Sequence, residues 1–176
     1  MSVIKSKRGQ SGVQFLDTAL DLETFTIKAC TNFAKRYTFV LTNEISDLSK
    51  AIFNNVKMAN SIYPLCKSEA QLRRNYFLSA YGTCQCIITQ IQVAYDLKII
   101  NSTKYEKFER EIKTMYLDLP PEEREKRILQ KRKNLDKKRD SLVEEWMTLA
   151  DKEMSLIKAI LASDKERFKD LPKYIH

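Results

Sequence analysis

The sequence predicts an all-α protein: an antiparallel up-down four-helix bundle carrying a long C-terminal helical extension. Three observations lead there. Only three glycines and four prolines occur in 176 residues, so little interrupts regular structure. Between those breaks, apolar residues recur at steps of three and four, the spacing that lays one stripe along a helix. The breaks leave segments of helical length joined by turns of a few residues, the connection lengths of an up-down bundle. A chain of this size suffices for one core, or one core plus an extension. The expected organisation is a flexible basic arm over 1–12, the bundle over 13–119, a basic helix over 120–162 and a charged tail over 163–176.

Helix one is expected from Val13 to Phe33, with Phe15, Leu16, Ala19, Leu20, Leu22, Phe25, Ile27, Ala29, Cys30 and Phe33 making a broad apolar band. A basic and aromatic corner, Lys35-Arg36-Tyr37, leads into helix two, which carries Val40, Leu41, Ile45, Leu48, Ala51, Ile52, Val56 and Ala59 on one side. Pro64 stops it and biases Tyr63 away from helical dihedrals. Ser68, with Gln71 beyond it, offers cap chemistry for a third helix running to about Leu97. Gly82 inside that helix costs up to about 1 kcal/mol relative to Ala and suggests a close helix crossing. Helix four is expected after Ser102 or Thr103 and on to Leu119, with Tyr105, Phe108, Ile112, Met115 and Tyr116 on one side. Pro120-Pro121 reads either as a kink or as a true turn. Beyond it a fifth helix should run to about Ala162, with Pro121 in its first turn and Glu122 and Glu123 against the positive end of the helix dipole. Its first half is almost wholly polar. Its second half, with Trp146 as the only tryptophan, is suited to dock on the bundle or on another chain.

The chemistry excluded is as informative. The only histidine is His176, there is no Gly-rich phosphate loop, and no nucleophile is placed beside a base, so neither a catalytic residue nor a cofactor is expected. The adjacent carboxylates Glu122/Glu123 and Glu144/Glu145 cannot face each other and read as solvated surface. Cys30, Cys66, Cys84 and Cys86 lack zinc-site spacing, so no metal is expected and they read as small core hydrophobes of a reducing compartment. No apolar run approaches the roughly 18 residues of a membrane span, and the basic start leads into no hydrophobic region. A cytoplasmic protein with no membrane and no small-molecule substrate is expected.

What remains is positive charge: 31 Lys and Arg against 23 Asp and Glu, a net +8. Such a balance suits a polyanionic partner, although a solvated surface with a positive bias has the same totals. Lys35 and Arg36 sit at a helix start, where backbone donors and cations can converge on a phosphate, or else rim the bundle while Tyr37 packs inside. Arg73 and Arg74 occupy the first turn of helix three, the unfavourable end of its dipole for a cation, which implies another reason for the charge or a neighbouring carboxylate. Between Glu122 and Asp140 nine basic residues face five acidic ones. Of these, Arg127, Lys131, Arg132, Lys133, Lys137, Lys138 and Arg139 are the candidate phosphate contacts. They wrap more than half of the helix circumference, which suits following a backbone and not reading base edges. No aromatics are interleaved with them, which argues against single-strand stacking.

Phe33-Ala34-Lys35-Arg36-Tyr37, Ala59-Asn60-Ser61-Ile62, the opening Glu69-Ala70-Gln71-Leu72-Arg73-Arg74-Asn75-Tyr76-Phe77 and the Leu97-Lys98-Ile99-Ile100 end followed by 102–112 carry a resemblance. Over about residues 25–118 the chain resembles the four-helix-bundle family of accessory variability determinant proteins of diversity-generating retroelements, which includes bundle proteins of ribosomal RNA intervening sequences. The resemblance implies a cytoplasmic homopentamer whose basic surface binds RNA or DNA and, in retroelements, the reverse transcriptase during mutagenic retrohoming. The extension after Pro121 departs from the family and bears directly on the subunit contact. Two readings therefore stand: a non-enzymatic nucleic-acid-binding accessory protein, or an interaction module that docks through its fifth helix.

Overall fold

A computed structural model describes residues 14–173, in which every regular element is helical. The helices are α1 (Gln14–Cys30), α2 (Asn43–Ser61), α3 (Lys67–Asp96), α4 (Ser102–Glu111) and α5 (Pro121–Arg167). A 3-10 turn, Lys35–Tyr37, and a π-helical turn, Thr38–Thr42, lead into α2. The arm over 1–12 lies outside the described residues.

Each long helix buries one stripe. In α2 it is Ile45, Ser49, Ile52, Val56 and Ala59; in α3 it is Phe77, Ala80, Cys84, Ile87, Ile91 and Ala94; in α5 it is Trp146, Ala150, Glu153 and Ile157. These are steps of three and four, as the periodicity requires. Val40, expected on the α2 stripe, is instead 73% exposed while Leu41 is buried. The register explains it, because the wider π-helical turn keeps Leu41 four residues ahead of Ile45 and leaves Val40 off the stripe.

Contacts run from α1 to α2, from α2 to α3, from α3 to α5 and from α5 back to α1, closing a ring around one core. Pairs across the helices fix local direction. Glu44 accepts from Gln90 and Asn55 donates to Ser79, so numbers rising along α2 meet numbers falling along α3. Tyr95 with Asp140 and Arg73 with Asp164 give the same opposed sense for α3 and α5.

The fourth place in the ring corrects the sequence expectation. The segment 102–119 does not fill it: α4 stops at Glu111, and Ile112–Leu119 forms turns, with Tyr116 at φ 56°. Of its apolar row only Phe108 is buried. The place belongs to the second half of α5, where Trp146 is fully buried and its indole N–H donates to Thr26 Oγ1 on α1 at 2.9 Å. Phe25 packs on the same indole with ring centroids 6.2 Å apart. Burying a tryptophan in this way is worth about 3–5 kcal/mol against alanine. Pro120–Pro121 is a true turn, with Pro120 extended at ψ 146° and Pro121 opening α5.

Caps differ from expectation too. The residue preceding α3 is Cys66, and Glu69 reaches back to accept from the Leu65 N–H at 2.7 Å. Asn101, in the left-handed region at φ 61°, precedes α4. The Ser102 and Thr103 hydroxyls instead bridge to the turn after α1, Ser102 accepting from the Ala34 N–H and Thr103 donating to the Asn32 carbonyl, both at 2.8 Å.

Two core features have measurable consequences. A Cβ built on Gly82 would meet nothing within 4 Å, so no helix crosses closely there. Gly82→Ala should therefore raise stability by up to about 1 kcal/mol in urea unfolding. Glu153 is fully buried, and neither carboxylate oxygen has a hydrogen-bond partner. Burial pushes its pKa up to about 8, only partly offset by Lys152 on the same helix. Across the core, burial and then the Glu153 charge push the Cys84 thiol on α3 up to about 12. A carboxyl whose folded pKa lies above its unfolded value holds an extra proton when folded, so stability falls as pH rises from about 4.5 to about 8 and is level beyond. Glu153→Gln should flatten that decline and exceed the parent by a few kcal/mol above pH 8, measured by urea unfolding across pH.

Candidate nucleic-acid interface

The eleven sequence-predicted cations separate by residue type. The arginines are largely committed. Arg73 is only 11% exposed in its side chain and donates to Asp164 at 2.6 Å, to the Ala59 and Ile62 carbonyls at 2.8 and 3.2 Å, and lies over the Phe77 ring. It is thus a clamp joining the end of α2 to α3 and α5, which is the neighbouring carboxylate that its unfavourable helix position called for. Arg139 is 15% exposed, bonded to Asp140 at 3.0 Å and stacked over Tyr95 at 4.8 Å. Arg132 pairs with Glu109, Arg36 with Glu106, and Arg127 with Glu123 at 2.9 Å.

The lysines are different. Among the described residues Lys35, Lys133, Lys137 and Lys138 are exposed with no carboxylate partner, as are Arg74 and Lys126, and Lys131 meets the Met115 sulfur at 3.6 Å. Guanidinium forks suit fixed planar acceptors, whereas an ammonium on a flexible stem keeps its hydration and stays loose.

Helix geometry orders these lysines. On α5, Lys126, Gln130, Lys133, Lys137 and Ser141 follow steps of four and three, so they share one exposed stripe. The opposite side carries Arg124, Ile128, Arg132, Leu135, Arg139 and Leu142, turned toward α4 and the core. Arg124 donates to the Met115, Ile112 and Lys113 carbonyls, capping the turns after α4. Tyr105 donates to Asp136 at 2.6 Å; burial first, then that bond, raises the phenol pKa well above its ordinary value. The first half of α5 is thereby held by α4 on one side and leaves the other to solvent.

Aromatic groups do accompany the basic segment, although none is interleaved in its sequence. Tyr95, Tyr105 and Tyr116 lie under Arg139 and Arg127, brought there from α3, α4 and the turn after it. These pairings join separate elements, so no spacing along the chain shows them. At the other corner Arg36 lies 4.7 Å over Tyr37, whose ring packs against the core, so the rim arrangement holds there.

Of the four cysteines, Cys30, Cys66 and Cys84 are buried, but Cys86 is exposed and is no core residue. Among the described residues no group of three or more His, Cys, Asp and Glu could hold a metal ion, and no helix is long and apolar enough to cross a membrane. Compared with protein-family models, curated proteins and solved structures, the chain matches none.

Proposed function

We propose that this is a cytoplasmic, non-enzymatic nucleic-acid-binding accessory protein, built as an antiparallel up-down four-helix bundle of α1, α2, α3 and the second half of α5. One observation carries the reading: Lys126, Lys133 and Lys137 of α5, without a carboxylate partner among the described residues, share a solvent-facing stripe, while Arg127, Arg132 and Arg139 pair with carboxylates of the chain. Lysines without acidic partners, on a helix that exposes its polar face, suit phosphates in sequence-independent fashion. The strongly shifted groups Cys84 and Glu153 are sealed in the core, which favours binding over catalysis. A reverse transcriptase working on the bound RNA or cDNA is the partner that the family resemblance adds.

The interaction-module reading draws on a different observation. The second half of α5 is already docked on its own core, so it does not offer Trp146 to another protein. Phe39, Val40 and Leu97 are 90%, 73% and 63% exposed, and α3 carries no Asp, Glu, Lys or Arg between Asn75 and Tyr95. A homo-oligomer would use that uncharged side, since interface centres are depleted in charge.

Labelled single-stranded RNA titrated at several salt concentrations tests the first reading. The affinity should fall steeply with salt, and replacing Lys126, Lys133, Lys137 and Lys138 by Gln should remove about 2–3 units of the log-log slope, at roughly 0.7 per phosphate contact. Arg132→Gln should cost less than one unit. Absence of binding in dilute buffer, or an unchanged slope in the fourfold variant, refutes the proposal.

A further inference from the structure

The far end of α5, expected to be a plain charged tail, has a feature that the lysine stripe does not explain. The helix continues past Ala162 to Arg167, and the chain then folds back so that the Pro172 carbonyl accepts from the Lys67 N–H at 2.8 Å. Between the first turns of α3 and the last turns of α5 this leaves a cleft of about 400 Å³. Lys67 and Arg74 line it from α3, and Lys165 and Lys169 from the α5 side.

Four cationic residues thus line one cleft, and among the described residues the one carboxylate in its lining is Asp164. That carboxylate is taken by Arg73 at 2.6 Å, in a pair that is only 11% and 16% exposed. The nearest acid on α3, Glu69, is turned to the Leu65 N–H. Among the described residues Lys169 is the one of the four with a carboxylate partner, Glu166 at 4.0 Å and well exposed. The same Arg73–Asp164 pair fastens the two walls together, so Lys67, Arg74 and Lys165 stand on a fixed frame, with Lys169 in the turn just after α5. Leu161 and Phe168, both half-buried, give the cleft an apolar side.

We propose that this cleft binds a phosphate-bearing small molecule of nucleotide size. Convergent like charges repel one another unless an anion joins them, and a multiply charged phosphate meets that need. The volume lies within the range of small-ligand sites, and the Leu161/Phe168 side receives the organic portion. The lysine stripe lies on the other half of α5, so this site stands independently of nucleic-acid binding.

The test is calorimetric titration of the full chain, at low ionic strength, with inorganic pyrophosphate and separately with a nucleoside triphosphate. Saturable one-to-one binding is expected, tighter for the nucleotide. Arg74→Gln with Lys165→Gln, both exposed positions, should weaken it at least tenfold with an unchanged thermal unfolding curve, while Lys133→Gln with Lys137→Gln should leave it unaltered. Three results overturn the proposal: no saturable binding of either ligand, equal weakening by the two variant pairs, or competition by an oligonucleotide alone. Pyrophosphate binding as tightly as the nucleotide overturns the role given to the apolar side.

Discussion

The docking of the second half of α5 through Trp146 is the contact on which the rest of the molecule depends. Once that indole is buried in the core with its N–H satisfied by Thr26 on α1, the axis and rotation of a helix about 70 Å long are set, at 1.5 Å per residue over 47 residues. Both ends of α5 then follow. Its first half must carry Arg124, Arg132 and Arg139 toward α4 and turn Lys126, Lys133 and Lys137 outward, because all six lie on one rigid rod. Its last turns must come beside the first turns of α3, where Arg73 and Asp164 meet.

Arginine and lysine divide the work of this basic chain. Arginines are used where a planar fork can satisfy several fixed acceptors, as at the helix ends that Arg73 and Arg124 bridge. A backbone carbonyl left at a helix end without a partner is costly when buried, so such an arginine acts as a structural part of the fold. Lys35, Lys126, Lys133, Lys137 and Lys138 remain at the surface with no carboxylate partner among the described residues.

Against this economy Glu153 stands out. It occupies a position of the α5 stripe where an apolar residue would complete the ring, and its oxygens find no donor. A carboxyl in such surroundings keeps its proton, so the core remains uncharged at the expense of a pH-dependent stability. On the same buried stripe of α5, Trp146 has its polar group satisfied and Glu153 does not.

The sequence by itself determined that the chain is helical, where most breaks fall, and most of the residues in the stripes of α1, α2 and α3, because a 3.6-residue period is a local property; it did not tell the buried members from Leu20, Ile27, Val40, Leu72, Val93 and Leu97, which are exposed. It also placed Pro121 at a helix start and set Trp146 on a helix able to dock. Tertiary structure alone decided that α5 and not 102–119 completes the ring, since Tyr105, Phe108 and Ile112 show as regular a spacing as Trp146, Ala150 and Ile157, and only competition for one core tells them apart. It decided likewise that Arg73 and Arg139 are spent while Lys133 and Lys137 are not. Arg73 reaches Asp164 on α5, and Arg139 lies over Tyr95 and Tyr105 from α3 and α4; pairings across such distances along the chain leave no local pattern to read.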